Sequence, residues 1–252
     1  MKIHKIIFSH TGGTKRACDY LCEGMDKEQI ETDLCLKDDK IMLPRISKDD
    51  LAVVAMPVFA GRVPALAVER LRRIEGNNAR CVIVAVYGNR AYDDALLEMQ
   101  DVASGIGFQT IAAVGAIAEH SIARVYAAGR PDDKDRRTLS DFGVEIIKRL
   151  ENIAEYTPLT LPGNRPYRQG NVGPFPEAGE GCSACGVCRE QCPADAIPEN
   201  NLRSVNKEKC ISCMRCIAVC PSKVRNVGPV EAMVTEKLKP LCSARKDNEL
   251  FI

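Results

Sequence analysis

At 252 residues the chain is long enough for one or two domains. Its 45 % hydrophobic and 27 % charged residues are ordinary globular composition, and a formal net charge of +1 points to neither a nucleic acid nor an acidic membrane surface as partner. The apolar start MKIHKIIF is too short for a signal peptide and nothing approaches the ~18 apolar residues of a membrane span, so the expected location is the cytoplasm and no membrane contact is expected.

The first part alternates apolar strands with amphipathic helices. Lys2 to Ser9 reads as a buried, Ile-rich strand, Thr14 to Met25 as a helix, and Ile30 to Leu36 as a short alternating strand. Residues 37–50 are short and polar, a poor stretch for a full helix. Leu51 to Pro57 (LAVVAMP) is a continuous apolar run, as a central parallel strand covered on both faces requires. Pro64 to Ile74 reads as a helix with proline in its first turn, Arg80 to Tyr87 (RCVIVAVY) as another buried strand, and Tyr92 to Gly105 as a helix. Gln109 to Ala118 is a fifth strand, and Pro131-Asp132-Asp133 starts a long closing helix that runs to about Asn152. Such alternation predicts an α/β domain over residues 1–155: a doubly wound, five-stranded parallel sheet of order 2-1-3-4-5.

From Tyr156 to Glu180 the chain is rich in Pro and Gly without periodicity, which predicts a linker over 156–180 running across the first domain's surface. A cysteine-dense segment, 181–228, and a C-terminal tail, 229–252, follow. Thirteen cysteines in a chain expected in a reducing compartment argue for metal ligation over disulfides.

Eight of them form one pattern written twice, C-x2-C-x2-C-x3-C-P: Cys182, Cys185, Cys188, Cys192 with Pro193, then Cys210, Cys213, Cys216, Cys220 with Pro221. Three cysteines at this spacing wrap one corner of an iron–sulfur cube, and the fourth, a helical turn on, ligates the other cube. One 4Fe–4S cluster is therefore expected on Cys182, Cys185, Cys188 and Cys220, and the other on Cys210, Cys213, Cys216 and Cys192. Paired zinc knuckles are the competing reading, but zinc requires neither the third cysteine nor the trailing C-P. Eight thiolates and two oxidised cores leave about −4 on the clusters, partly offset by the module's Lys and Arg, so the holo-protein is negative despite its formal +1. The pattern resembles bacterial two-cluster ferredoxins over about 181–227, which implies a small α+β fold of two hairpins and two short helices. So small a segment cannot bury enough apolar area to fold without its clusters.

After the first strand comes Ser9-His10-Thr11-Gly12-Gly13-Thr14-Lys15, hydroxyls and glycines leading into a helix. Helix-terminal N–H groups and the dipole favour a phosphate there, with Ser9, Thr11 and Thr14 as hydroxyl donors. The loop is similar to the phosphate loop of flavodoxins, [ST]-x-T-G-x-T, and two further loops extend the likeness. Pro57-Val58-Phe59-Ala60-Gly61 follows the third strand, and Tyr87-Gly88-Asn89 with Tyr92 and Asp93 follows the fourth, both at the ligand-binding ends of strands. The resemblance implies FMN, its phosphate on residues 9–14 and its ring between Phe59 and Tyr92 or Tyr87. Tryptophan, often stacked on the flavin in flavodoxins, is absent. The order of parts resembles flavodoxin–ferredoxin fusion proteins across nearly the whole chain.

Lesser signals have ordinary readings. Cys18, Cys22, Cys35 and Cys81 read as buried hydrophobes, His4 as structural, and Cys242 as the free reactive thiol of a polar tail. His10 either touches the phosphate or faces solvent, and Glu119-His120-Ser121 offers a proton donor on the ligand side. The expected function is electron transfer among FMN, two clusters and a redox protein or small-molecule donor or acceptor. A flavin-dependent reductase of a small substrate, and a redox-sensing or binding subunit without flavin, are the alternatives.

Overall fold

The computed structural model describes residues 1–170 and 173–252. The first half runs in chain order as β1 (Ile3–Ile7), α1 (Gly13–Glu23), β2 (Gln29–Asp33), β3 (Leu51–Pro57), α2 (Ala65–Leu71), β4 (Arg80–Tyr87), α3 (Ala95–Gly105), β5 (Gln109–Ile117) and α4 (Asp133–Asn152). Between β2 and β3 there is only a 3-10 turn, Asp38–Lys40, as the polar sequence there predicts. The five strands are parallel in the order β2-β1-β3-β4-β5. Composition sets this order. Every residue of β3 is buried, which suits a centre covered on both faces, whereas β2 exposes its first three residues at an edge.

Strand alternation divides the core in two. Ile6, Phe8, Val54, Met56 and Ile83 face α2 and α3 through Leu71, Leu96 and Met99. Ile3, Ile7, Val53, Val82 and Val84 face α1 and α4 through Leu21, Leu139 and Ile146. The helices α1 and α4 approach closely at Gly24 and Gly143, where a methyl group on either would collide with the other helix's backbone. α4 starts on a capping box: the Asp132 carboxylate accepts from the N–H of Lys134 and Asp135, and the Asp135 side chain accepts from Asp132 N–H.

The second part holds β6 (Glu177–Ala178), α5 (Val187–Glu190), α6 (Arg215–Ala218) and β7 (Arg225–Asn226), then α7 (Val230–Cys242) and β8 (Glu249–Phe251). β6 and β7 form an antiparallel pair. The apolar core here is small, Ala196 and Ile197 packed with Cys192 and Cys216.

Two features go beyond the sequence pattern. The tail 229–252 returns to the first half, where β8 joins the sheet as a sixth, antiparallel strand beside β5. Leu250 and Phe251 then extend the two core layers on opposite faces. Of the segment 156–180, of which 171–172 lie outside the described residues, residues 159–168 run over the first half, whereas Pro176 to Ala178 pack with the cysteine module. The former stretch is held along α3: Asn164 and Arg168 N–H donate to Asp94 at 2.9 and 2.7 Å, and Arg165 Nε to Asp101 at 2.9 Å.

Candidate metal centres and anion loop

The fold gathers the eight cysteines into two groups. Cys182, Cys185, Cys188 and Cys220 line one small cavity, and Cys192, Cys210, Cys213 and Cys216 line a second. Each group draws three sulfurs from one run and the fourth from the other. Among the described residues no three His, Cys, Asp or Glu side chains converge on a point as one metal ion would need. Backbone geometry turns the runs around these cavities: Ala184, Gly186, Ser212 and Met214 all carry positive φ between 53° and 78°.

The two cavities differ electrically. Burial pushes the Cys210, Cys213 and Cys216 thiols up, Cys216 to about 12. Such ligands become thiolates through metal binding. At Cys220 burial also acts upward, but backbone N–H groups of Val224, Arg225, Ser222 and Lys223 gather around the sulfur, and the net shift is downward.

The anion loop lies where β1 meets α1. Lys15 N–H donates to Ser9 Oγ at 3.0 Å and Arg16 N–H to Gly12 carbonyl at 3.0 Å. The N–H groups of Thr11, Gly12, Gly13 and Thr14 have no partner among the described residues, and no side chain caps the helix. Gly12 holds φ at +94°, a conformation natural to glycine. Four free amides at the start of an eleven-residue helix fit a phosphate group. His10 is buried, T-stacked on Phe59 with ring centroids 4.9 Å apart. Burial, aided by Arg215, depresses its pKa to about 3 and keeps the ring neutral.

The loops expected around a flavin ring are closed on each other. Asp94 N–H donates to Gly61 carbonyl at 3.1 Å, and Val58 N–H to Val86 carbonyl at 2.8 Å. A side chain at Gly61 would collide with the Asp93 carboxylate, which Arg90 and Arg168 hold. Phe59 and Arg62 pair their backbones across a tight turn containing Ala60 and Gly61. Tyr87 and Tyr92 pack edge to face, centroids 5.4 Å apart, inside the sheet's end. Burial and the Glu249 carboxylate raise both phenols, Tyr87 to about 12. Asn89 donates to the carbonyls of Cys242 and Ala244, both at 2.8 Å, so the tail covers Gly88 and Asn89.

Several connecting residues carry no motif in the sequence. Arg215, between two cysteines of the second run, donates to Ser9 carbonyl at 3.1 Å and lies 3.8 Å from Cys35 Sγ. Arg70 reaches Pro193 carbonyl at 2.8 Å and Lys37 pairs with Asp195 at 2.9 Å. The cysteine module therefore sits on the ligand end of the sheet, directly over the anion loop. Cys242 is a correction: it is 2 % exposed, packed with Ala123 and Tyr126 and raised by burial, so it is no reactive surface thiol. His10 does not face solvent, as one of its two sequence readings has it. His120 accepts from the N–H of Ile122 and Ala123 at 3.2 and 3.0 Å, and burial together with Arg90 lowers its pKa to about 4. A neutral acceptor locked in its own loop is a poor proton donor.

Residues 177–234 match the model of the 4Fe-4S dicluster domain. One component of the Na(+)-translocating ferredoxin:NAD(+) oxidoreductase complex of Acetobacterium woodii is 41 % identical over 51 residues, 19 % of this chain and 15 % of that protein. A component of the ion-translocating oxidoreductase complex of Methanosarcina acetivorans is 43 % identical over 44 residues, 17 % of each. The chain spans about a sixth of the length of these two curated relatives. Among solved structures, a flavodoxin from the domain Archaea covers 60 % of this chain with 99 % of its own, at 14 % identity and a TM-score of 0.44. The C-terminal segment is thus a 4Fe-4S domain. The parallel sheet ahead of it has the 2-1-3-4-5 strand order of the smaller doubly wound fold. No helix among the described residues is long and apolar enough to cross a membrane.

Proposed function

We propose that this chain transfers electrons between FMN, two 4Fe–4S clusters and a redox partner. The observation that carries the reading is the crossed assortment of cysteines around two cavities, which matches the sharing of ligands between two cubes. When bound, the flavin handles electrons in pairs or singly, and each cluster handles one. The chain's own residues do the rest. Cys182, Cys185, Cys188 and Cys220 hold one cluster, and Cys210, Cys213, Cys216 and Cys192 the other. The free amides of residues 11–14 hold the phosphate. Arg215 and Arg70 seat the module on the first domain, so transfer is intramolecular. The division proposed from the sequence, 1–155, a linker 156–180, the cluster module 181–228 and the tail 229–252, is adjusted in two places: the module begins at about residue 177, and the tail's last strand completes the first sheet.

The closed loops around Gly61 and Asp93 favour a second reading, a redox-sensing or binding subunit without flavin. The test is the iron, sulfide, zinc and flavin content of protein purified without oxygen. About eight irons and eight sulfides with bound or rebindable FMN are expected. Zinc in place of iron overturns the electron-transfer reading, and iron without any capacity for FMN selects the second.

A further inference from the structure

The two cysteine quartets stand differently toward the first domain. The second faces inward. Its Cys192, Cys213 and Cys216 are buried, and Ile211, between Cys210 and Cys213, packs against the core layer beneath α2 and α3. Arg215, between Cys213 and Cys216, donates to Ser9 carbonyl at 3.1 Å, and Arg70 donates to the carbonyl of Pro193, next to Cys192, at 2.8 Å. The first quartet faces outward. Its Cys185 is exposed, and Cys182, Cys188 and Cys220 are half-buried. Resting on the reading above of FMN and two clusters, we propose an order of transfer: the second quartet holds the inner cluster, which exchanges electrons with the flavin, and the first holds the outer cluster, which exchanges them with the redox partner.

An open space links the end of β3 to the second quartet. It starts at Phe59 and reaches Cys210, with Phe175, Lys207 and Ile211 along its border. Among the described residues Cys210 is the only cysteine that lines it. Cys220, the first quartet's nearest approach to the first domain, borders a different space, beside Thr11 and Arg16 at the phosphate end of the anion loop. A ring held at Phe59 therefore looks onto a ligand of the second cluster, while the phosphate lies toward the first. Electron exchange weakens steeply with the gap between centres, so the shorter approach carries the traffic. The same argument applies at the surface, where the exposed Cys185 gives an outside carrier its closest approach to a cluster. Each step moves one electron and transfers no atoms. A one-electron carrier is oxidised as the first cluster is reduced, the first cluster then reduces the second, and two such passages reduce FMN, with protons from solvent. Unequal burial also sets unequal potentials, so one cluster takes the first electron before the other.

The experiment loads the full chain, both clusters in place, with FMN that carries fluorine instead of a ring methyl group. Partial reduction populates each cluster signal in turn, and fluorine electron–nuclear double resonance reads which cluster lies near the ring. Cys185→Ser and Cys213→Ser assign the two signals, and a variant that loses one cluster assigns as well as one that alters it. The fluorine coupling is expected to be at least threefold larger on the signal that Cys213→Ser changes. Ser183→Trp keeps every ligand and covers the first quartet from an exposed position. With a reduced two-cluster ferredoxin as external donor, it should slow reduction of the chain at least tenfold while iron content and fluorine coupling stay as in the wild type. Stronger coupling on the signal that Cys185→Ser changes overturns the inner assignment, and wild-type reduction of the Ser183→Trp protein overturns the outer one. If the wild-type holoprotein binds no FMN at millimolar concentration, the flavin reading itself fails and takes this one with it, an outcome distinct from both.

Discussion

Replacing Asp135 with asparagine removes the charge that neutralises Arg130 while preserving shape. The two side chains expose only 2 % and 4 % of their surface. Arg130 Nε donates to one carboxylate oxygen at 2.8 Å and a second guanidinium nitrogen donates to the other. An exposed pair of this kind would contribute under ~1 kcal/mol. A buried pair broken on one side costs about 3–5 kcal/mol, because the surviving charge is left without a partner. Burial decides for the larger figure. The same carboxylate also accepts from Asp132 N–H at 2.9 Å and Asn248 Nδ2 at 3.0 Å, so the loss spreads to the helix cap and the tail. At 1.4 kcal/mol per factor of ten, the opening equilibrium of the sheet shifts by roughly 100- to 4,000-fold. Native-state hydrogen exchange on the holoprotein measures this directly, through the slowest amides of β3 and β4. Asp247→Asn, whose side chain is 78 % exposed in its pair with Lys134, serves as control and should stay within ~1 kcal/mol. Amides of Asp135→Asn that exchange within fivefold of the wild type would refute the reasoning.

Crossed ligation makes Cys220→Ser and Cys185→Ser alter one and the same cluster signal in the paramagnetic resonance spectrum of reduced protein, and Cys192→Ser and Cys213→Ser the other; variants that group by sequence run instead would contradict the assignment. Asn248→Ala removes the acceptor of Ile117 N–H at 2.9 Å and a donor to Asp135, so it should destabilise the sheet by about 1–3 kcal/mol, read by the same exchange experiment at β5. His120 is held neutral, with its pKa lowered to about 4 against about 6.5 when unfolded. Its share of stability is therefore whole above pH ~6.5 and lost as pH falls toward 4, at about 1.4 kcal/mol per pH unit for that one proton. The His120→Gln protein should show a flatter stability profile across that window, and an unchanged slope would count against the assignment.

What the sequence determined was whatever depends on local pattern. Continuous apolar runs marked β3 and β4 to the residue, because strands covered on both faces tolerate nothing polar. The doubled cysteine spacing anticipated which cysteines line each cavity, because three ligands two residues apart reach three irons of one cube and the fourth, a helical turn on, points to the other. The glycines after β1 marked a loop whose amides stay unpaired at the start of α1, since local turn geometry alone frees them. What depends on distant segments was left to the tertiary structure. Nothing in the three residues Glu249–Phe251 announces a strand; they pair only because β5 presents a free edge. Cys242 looks like a tail thiol until α7 folds it against Ala123 and Tyr126. Arg215 is an ordinary charge between two cysteines until the module docks and turns it onto Ser9. Whether two loops part to admit a ring or close on each other is settled by what packs over them, here Arg168 from the linker and residues 242–248 from the tail, more than seventy residues away in sequence.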